Sequence, residues 1–121
     1  MSWVDDAVGT FGREMGFARL RLPEQGAVEL AFENRGTLAL ERAGDDLLLY
    51  LQRERQHRGV ERLARAMDLC HWRHDRNPAV RAGVKDDRLV LLIRLREREV
   101  TPEAMAQAFE RLIRLMDEIE S

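Results

Sequence analysis

The sequence predicts an α+β fold: three helices and a twisted five-stranded antiparallel sheet in the order αβββαββα. Three observations carry this reading. Apolar residues recur at spacings of three and four near both ends of the chain and once in the middle. Three short strand-like runs, the first two with period-two alternation and the third continuously apolar, are joined by tight turns between the first two helical stretches. Two more strand-like runs, one alternating and one continuously apolar, lie ahead of the last helix.

The first helix spans residues 3–15, where Val4, Val8, Phe11 and Met15 share a face. Ser2 reads as its N-cap, with Asp5 at the capping-box position and Asp6 in the first turn; Gly16 is its C′ stop. Beyond Pro23 and Gly26, Val28, Leu30 and Phe32 alternate with Glu29, Ala31 and Glu33, the pattern of a half-buried strand. "NRG" (34–36) turns the chain into "TLALE" (37–41), and "AGDD" (43–46) turns it again into "LLLYLQ" (47–52), which completes an antiparallel meander. Residues 56–75 form the second helix, with Val60, Leu63, Ala64, Met67 and Cys70 at helical spacing. Asn77-Pro78 ends it, because the residue before proline is driven out of the α region. "AVRAGV" (79–84), the turn "KDDR" and "LVLLIRL" (89–95) give the last two strands. Thr101, Pro102 and Glu103 start the third helix, whose stripe is Met105, Phe109, Leu112, Met116 and Ile119.

At 121 residues the chain is expected to be one domain, 1–121, able to bury roughly two-thirds of its unfolded surface. Its single cysteine permits no intramolecular disulfide and suits a reducing compartment. "MSWVDDAVG" lacks the basic-then-apolar pattern of a secretory signal, and no apolar run exceeds five residues, which argues against membrane insertion. One of the 20 basic residues is lysine and the rest are arginine, against 22 acidic ones. A formal net charge of −2 gives no general drive toward nucleic acid or anionic membrane.

"CHWRH" (70–74) is where chemistry concentrates. A metal site needs three or four ligands. On a helix Cys70 and His74 point together, but His71 lies about 100° away, and His57 is about 20 Å distant along the axis. The cysteine continues the stripe of Val60, Leu63 and Met67, so it reads as a small hydrophobe in a core or interface. The histidines suit a helix C-terminus. Arg58, Arg62 and Arg65 form a basic face, interleaved with Glu61 and Asp68 and lacking the aromatic platform of a single-strand binder. Asp45–Asp46 and Asp86–Asp87 are explained by turn chemistry. There is no phosphate loop, zinc-protease or serine-hydrolase motif, so no enzyme, no metal and no cofactor are expected.

The strands "LLLYL" and "LVLLI" break alternation and are apolar on both faces. Either helices cover both sides of the central strands, or an apolar second face marks an interaction surface.

The element order, with "MSWVDDAV", "GTLALE" (36–41), "RAGV" (81–84), "RLVLLIRL" (88–95) and "QAFERLIRLMDEI" (107–119), resembles the SycN branch of the class I chaperones of type III secretion. The resemblance implies a bacterial cytoplasmic chaperone, at most peripheral at the secretion apparatus, that forms a heterodimer with a YscB-like co-chaperone. Its implied client is the N-terminal region of a YopN-like gatekeeper. The implied dimer contacts are Val60, Leu63, Met67, Cys70, Trp72, Val80 and Val84, which would make "CHWRH" the end of a dimerisation helix. The implied client-binding grooves, between the first helix and first strands, involve Val8, Phe11, Val28, Leu30, Phe32, Leu38 and Leu40. The arginine-rich, near-neutral composition departs from such chaperones, which are often acidic, and favours an acidic partner for the second helix over another copy of itself. The alternative reading is a small nucleic-acid-binding or regulatory module that uses the second helix's arginines.

Overall fold

The α-helix over Trp3–Glu14 (α1) ends because Gly16 takes a left-handed φ of 92°. The Phe17 N–H then reaches back to the Gly12 carbonyl at 2.7 Å and Gly16 N–H to Arg13 at 3.2 Å, the two bonds of a Schellman stop. The computed structural model describes residues 3–53, 59–70, 80–86 and 88–120. Ser2, Arg58, Trp72, His71 and His74, and with them the ends predicted for the second helix, lie outside these residues.

Strands β1 (Ala27–Phe32), β2 (Gly36–Ala43) and β3 (Asp46–Gln52) form the meander. At the first turn Asn34 and Gly36 have φ of 65° and 112°. A Cβ on Gly36 would stand 2.5 Å from the Gln52 carbonyl oxygen, so only glycine fits there. After α2 (Gly59–Leu69) come β4 (Val80–Lys85) and β5 (Arg88–Leu95), then a 3-10 turn and α3 (Pro102–Glu120). The predicted cap of α3 is formed: the Ala104 N–H donates to Thr101 Oγ1 at 3.0 Å.

All strand pairs are antiparallel, in the order β1-β2-β3-β5-β4. The last hairpin therefore folds back, setting β5 beside β3 and β4 on the edge. The register sorts side chains by face. Leu30, Leu38, Leu40, Leu49, Leu51, Leu91 and Ile93 point inward and are 0–3% exposed. They share one core with Val4, Val8 and Phe11 of α1, Ala66 of α2 and Met105, Phe109, Leu112 and Met116 of α3. Helix α3 lies over β3 and β5, α2 over β4 and β5, and α1 against α3. The other face carries no described helix. Of the two arrangements left open by the doubly apolar strands, the described residues show the one-sided one.

Two arginines lock the layers. Arg42 ion-pairs with Asp5 of α1 and donates to the Pro23 carbonyl at 3.2 Å, tying β2 to the loop beneath. Arg53, 12% exposed, meets Asp117 at 2.7 Å and Glu120 at 2.8 Å on α3, and donates to the Arg35 carbonyl at 2.8 Å. Burial would lower its affinity for a proton, but the two carboxylates outweigh this and raise it.

The expected client groove is not open. Val8, Phe11, Leu30, Leu38 and Leu40 are core residues, 0–3% exposed. Phe32 is wedged between Phe17 and Phe109, with ring centroids 5.6 and 4.7 Å away, and Val28 is half-buried against the same core. The physical cause is the segment after α1. Leu20 and Leu22 are buried, and Gly12 lets Leu20 approach so closely that a Cβ there would lie 2.5 Å from it. The apolar faces of α1, β1 and β2 thus satisfy one another and α3. Val80, expected at a dimer contact, is likewise a core residue at 3% exposure.

Candidate interaction surfaces

Two surfaces remain. The first is the shoulder formed by α2 and β4. Every fourth or third residue of α2 faces the core: Leu63, Ala66, Leu69 and Cys70 are buried or half-buried against it. Met67 lies about 100° round from Ala66, and it is 60% exposed. Val84, on the inward face of β4 but past the cover of α2, is 37% exposed. Of the three large hydrophobics most exposed among the described residues, these are two; the third, Trp3, donates its indole N–H to the Val100 carbonyl. The predicted dimer residues therefore divide. Met67 and Val84 offer surface, Leu63 and Cys70 are shared with the core, Val80 is core, and the side chains of Val60 and Trp72 lie outside the described residues. Arg62 is half-buried and Arg65 exposed.

The second surface is the open sheet face. A flat sheet encloses no volume, yet a cavity of about 640 Å³ is lined by residues of all five strands, so this face is a trough. Its floor is apolar: Ala39, Tyr50, Val90 and Leu92, with Leu48 in register beside them. Its walls are charged in opposite senses. Glu29 of β1 and Glu41 of β2 stand on one side, Arg81 and Lys85 of β4 and Arg88 of β5 on the other. One rung crosses it completely: Glu29, Ala39, Tyr50, Leu92 and Arg81 are successive cross-strand partners. The Tyr50 hydroxyl donates to Glu41 Oε2. Burial and then the neighbouring carboxylate raise the phenol's pKa to about 12, because both disfavour phenolate. At the trough's end Asp46 accepts from Arg94 Nε at 2.9 Å and from the Glu97 N–H at 3.1 Å. These bonds, Arg94's first, hold its carboxyl below the usual range.

The sequence signal for this face was the doubly apolar "LLLYL" and "LVLLI"; its walls were not foreseen. Among the described residues no group of three or more His, Cys, Asp and Glu is placed to hold a metal, and no helix is long and apolar enough to cross a membrane. The surfaces can bury apolar side chains and pair charges, which is recognition chemistry.

This architecture is the fold of type III secretion chaperones. The chain superposes on the Yersinia pestis chaperone SycH, solved with a fragment of YscM2, with a TM-score of 0.71 at 15% identity over 96% of both chains. It superposes equally, at 0.71 and 18% identity, on a chain of the ExsC–ExsE complex, covering 99% of this chain and 92% of that one. The chain belongs to the family of type III secretory system chaperone SycN, which matches residues 3–120. It is 32% identical over 121 residues, 98% of each chain, to the chaperone protein SycN of Yersinia enterocolitica serotype O:8, and equally to that of Yersinia pseudotuberculosis. The protein is thus a type III secretion chaperone of the SycN type, a family of binding proteins and not of enzymes. The family and fold read from the sequence stand.

Proposed function

We propose that this chaperone works in the bacterial cytoplasm as one half of a heterodimer with a YscB-like co-chaperone. The pair holds the N-terminal region of a YopN-like gatekeeper in a secretion-competent state and so helps to control secretion. The co-chaperone docks on the α2–β4 shoulder, and the client lies along the open sheet face. Membership of the SycN family supports the class of partner. The observation that carries the two-surface assignment is the distribution of apolar area. Met67 is exposed on α2, and Val84 is exposed near the end of β4, where it also borders the trough, while the apolar floor of Ala39, Tyr50, Val90 and Leu92 lies on the sheet face opposite the helices. Large apolar areas left in water favour association, and an edge strand such as β4 adds to it.

Leu63 and Cys70 support the shoulder from beneath, at the seam between core and interface. Arg62 and Arg65 flank it, in a position to steer the encounter more than to hold it.

The test is coexpression of the chain with a YscB-like protein, followed by size exclusion with light scattering. The expected product is a soluble one-to-one complex. Met67→Glu combined with Val84→Asp should abolish it while the chain's own melting temperature stays unchanged, because neither side chain belongs to the core. A variant that still forms the complex normally would remove the shoulder from the interface.

A further inference from the structure

The two walls of the trough differ in sign, and this bears on what can lie in it. Between edge strands β1 and β4 are four strand-to-strand steps. At about 4.8 Å each, they set the acidic and basic edges roughly 19 Å apart along the sheet. A helix with its side chains is about 10–12 Å across, so one helix fits between walls that long side chains can reach from it. The strands are 6–8 residues long. At about 3.3 Å per residue this is roughly 20–26 Å, the length of about 13–17 helical residues. Among the described residues Glu29, Arg81, Lys85 and Arg88 make no ion pair, so the walls are available to an incoming segment. Glu41 is turned to Tyr50, and Arg94 is held by Asp46.

We infer that the open face is a charge-sorted receptor for an amphipathic helix of the client, one whose apolar stripe is flanked by basic residues on one side and acidic residues on the other. This rests on the reading that clients lie on this face, and adds which clients fit. The basic flank meets Glu29 and Glu41; the acidic flank meets Arg81, Lys85 and Arg88. A helix acidic on both flanks faces repulsion along β1 and β2, and one basic on both flanks faces it along β4 and β5. The sorting also fixes direction. Reversing such a helix in the trough exchanges its flanks, so only one of its two orientations satisfies both walls.

The experiment titrates the full chain with three labelled peptides of about 18 residues, five helical turns, that share one apolar stripe. One has opposite flanks, one has both flanks acidic and one has both flanks basic, and binding is read by fluorescence anisotropy at low salt. The peptide with opposite flanks should bind about ten-fold tighter than either other, because each rival loses attraction and gains repulsion at one wall, at roughly three-fold for each change. Arg81→Glu combined with Arg88→Glu, both outside the core, should transfer the preference to the peptide with two basic flanks. Leu92→Asp, on the floor, should abolish binding of all three. Equal binding of the three, lost in Leu92→Asp, would overturn charge sorting and leave the client surface standing. Failure of all three to bind, or binding that survives Leu92→Asp, would overturn both.

Discussion

Leu40 and Leu92 are separated by one sheet, and truncating each to alanine should produce opposite phenotypes. Leu40 points into the core beside Leu49 and Val28 and is fully buried. Leu40→Ala removes about three carbon groups, worth roughly 2.4 kcal/mol in transfer alone. The unfilled cavity brings the loss to about 3–4 kcal/mol. For a chain of this size each kcal/mol lowers the melting temperature by about 3–4 °C, so a fall of roughly 10 °C or more is expected. Leu92 lies on the open face between Tyr50 and Arg81 and is only half-buried. Its truncation opens no enclosed cavity and should cost about 1 kcal/mol or less. Urea melts followed by circular dichroism measure the stabilities, and anisotropy with an oppositely flanked amphipathic peptide measures binding. Leu40→Ala should melt early yet bind normally at temperatures where it is folded; Leu92→Ala should melt almost normally and bind weakly. The reverse pattern, a stable Leu40→Ala that has lost binding, would restore the groove between α1 and the first strands as the client site and refute the burial argument.

Tyr50 is the chain's single tyrosine, so absorbance near 295 nm titrates it alone. Its folded pKa, about 12, lies above the ordinary 10. Its contribution to stability is therefore complete below pH 10 and lost as the pH climbs from 10 to 12. In the native protein phenolate should be nearly absent at pH 10.5, and Glu41→Gln should bring its appearance to lower pH; half-ionisation near pH 10 in the folded wild type would contradict this. Arg53→Met should cost about 2 kcal/mol, since it removes two charge-assisted contacts to α3 from a largely buried side chain. A urea midpoint within error of wild type would show that α3 needs no such tie.

Much of this was readable from the residues, and the limit of reading has a physical cause. Thr101-Pro102 and Gly16 announce helix ends because capping chemistry is local: a hydroxyl three residues from an N–H, and a backbone conformation cheap only for glycine. The meander was legible for the same reason, since Gly36 and Gly44 have positive φ at its two turns. The burial of the expected client residues was not legible, because alternation marks an apolar face without saying what covers it. Val28, Leu30 and Phe32 show the same period whether a partner or the protein's own Leu20, Leu22 and Phe109 lies against them. The missing information was tertiary. The doubly apolar strands did signal a second apolar face, because a strand covered on one side has no reason to place Leu48, Tyr50, Val90 and Leu92 on the other unless something is to meet them.

The charge distribution shows why composition alone could not lead further. A net charge of −2 from 42 charged residues reads as a protein indifferent to field. That inference treats charge as a sum, whereas a partner meets it as a pattern. Along the sequence Glu29 and Glu41 flank the first turn, and Arg81, Lys85 and Arg88 cluster at the last. Nothing local relates the two groups. The strand order relates them: β5 pairs with β3 and sends β4 to the far edge, so the acidic hairpin and the basic hairpin become opposite walls of one apolar floor. Had β4 paired with β3 instead, Arg81 and Lys85 would stand a strand nearer the acidic wall, and the basic wall would be β5 alone. Near-neutrality and a strongly polar trough are thus compatible, because charges that cancel in the sum, such as Glu29 of β1 and Arg81 of β4, stand at opposite edges of the sheet. Two of the arginines that looked like a departure from acidic chaperones, Arg81 and Arg88, stand with Lys85 in the wall that an acidic flank would need.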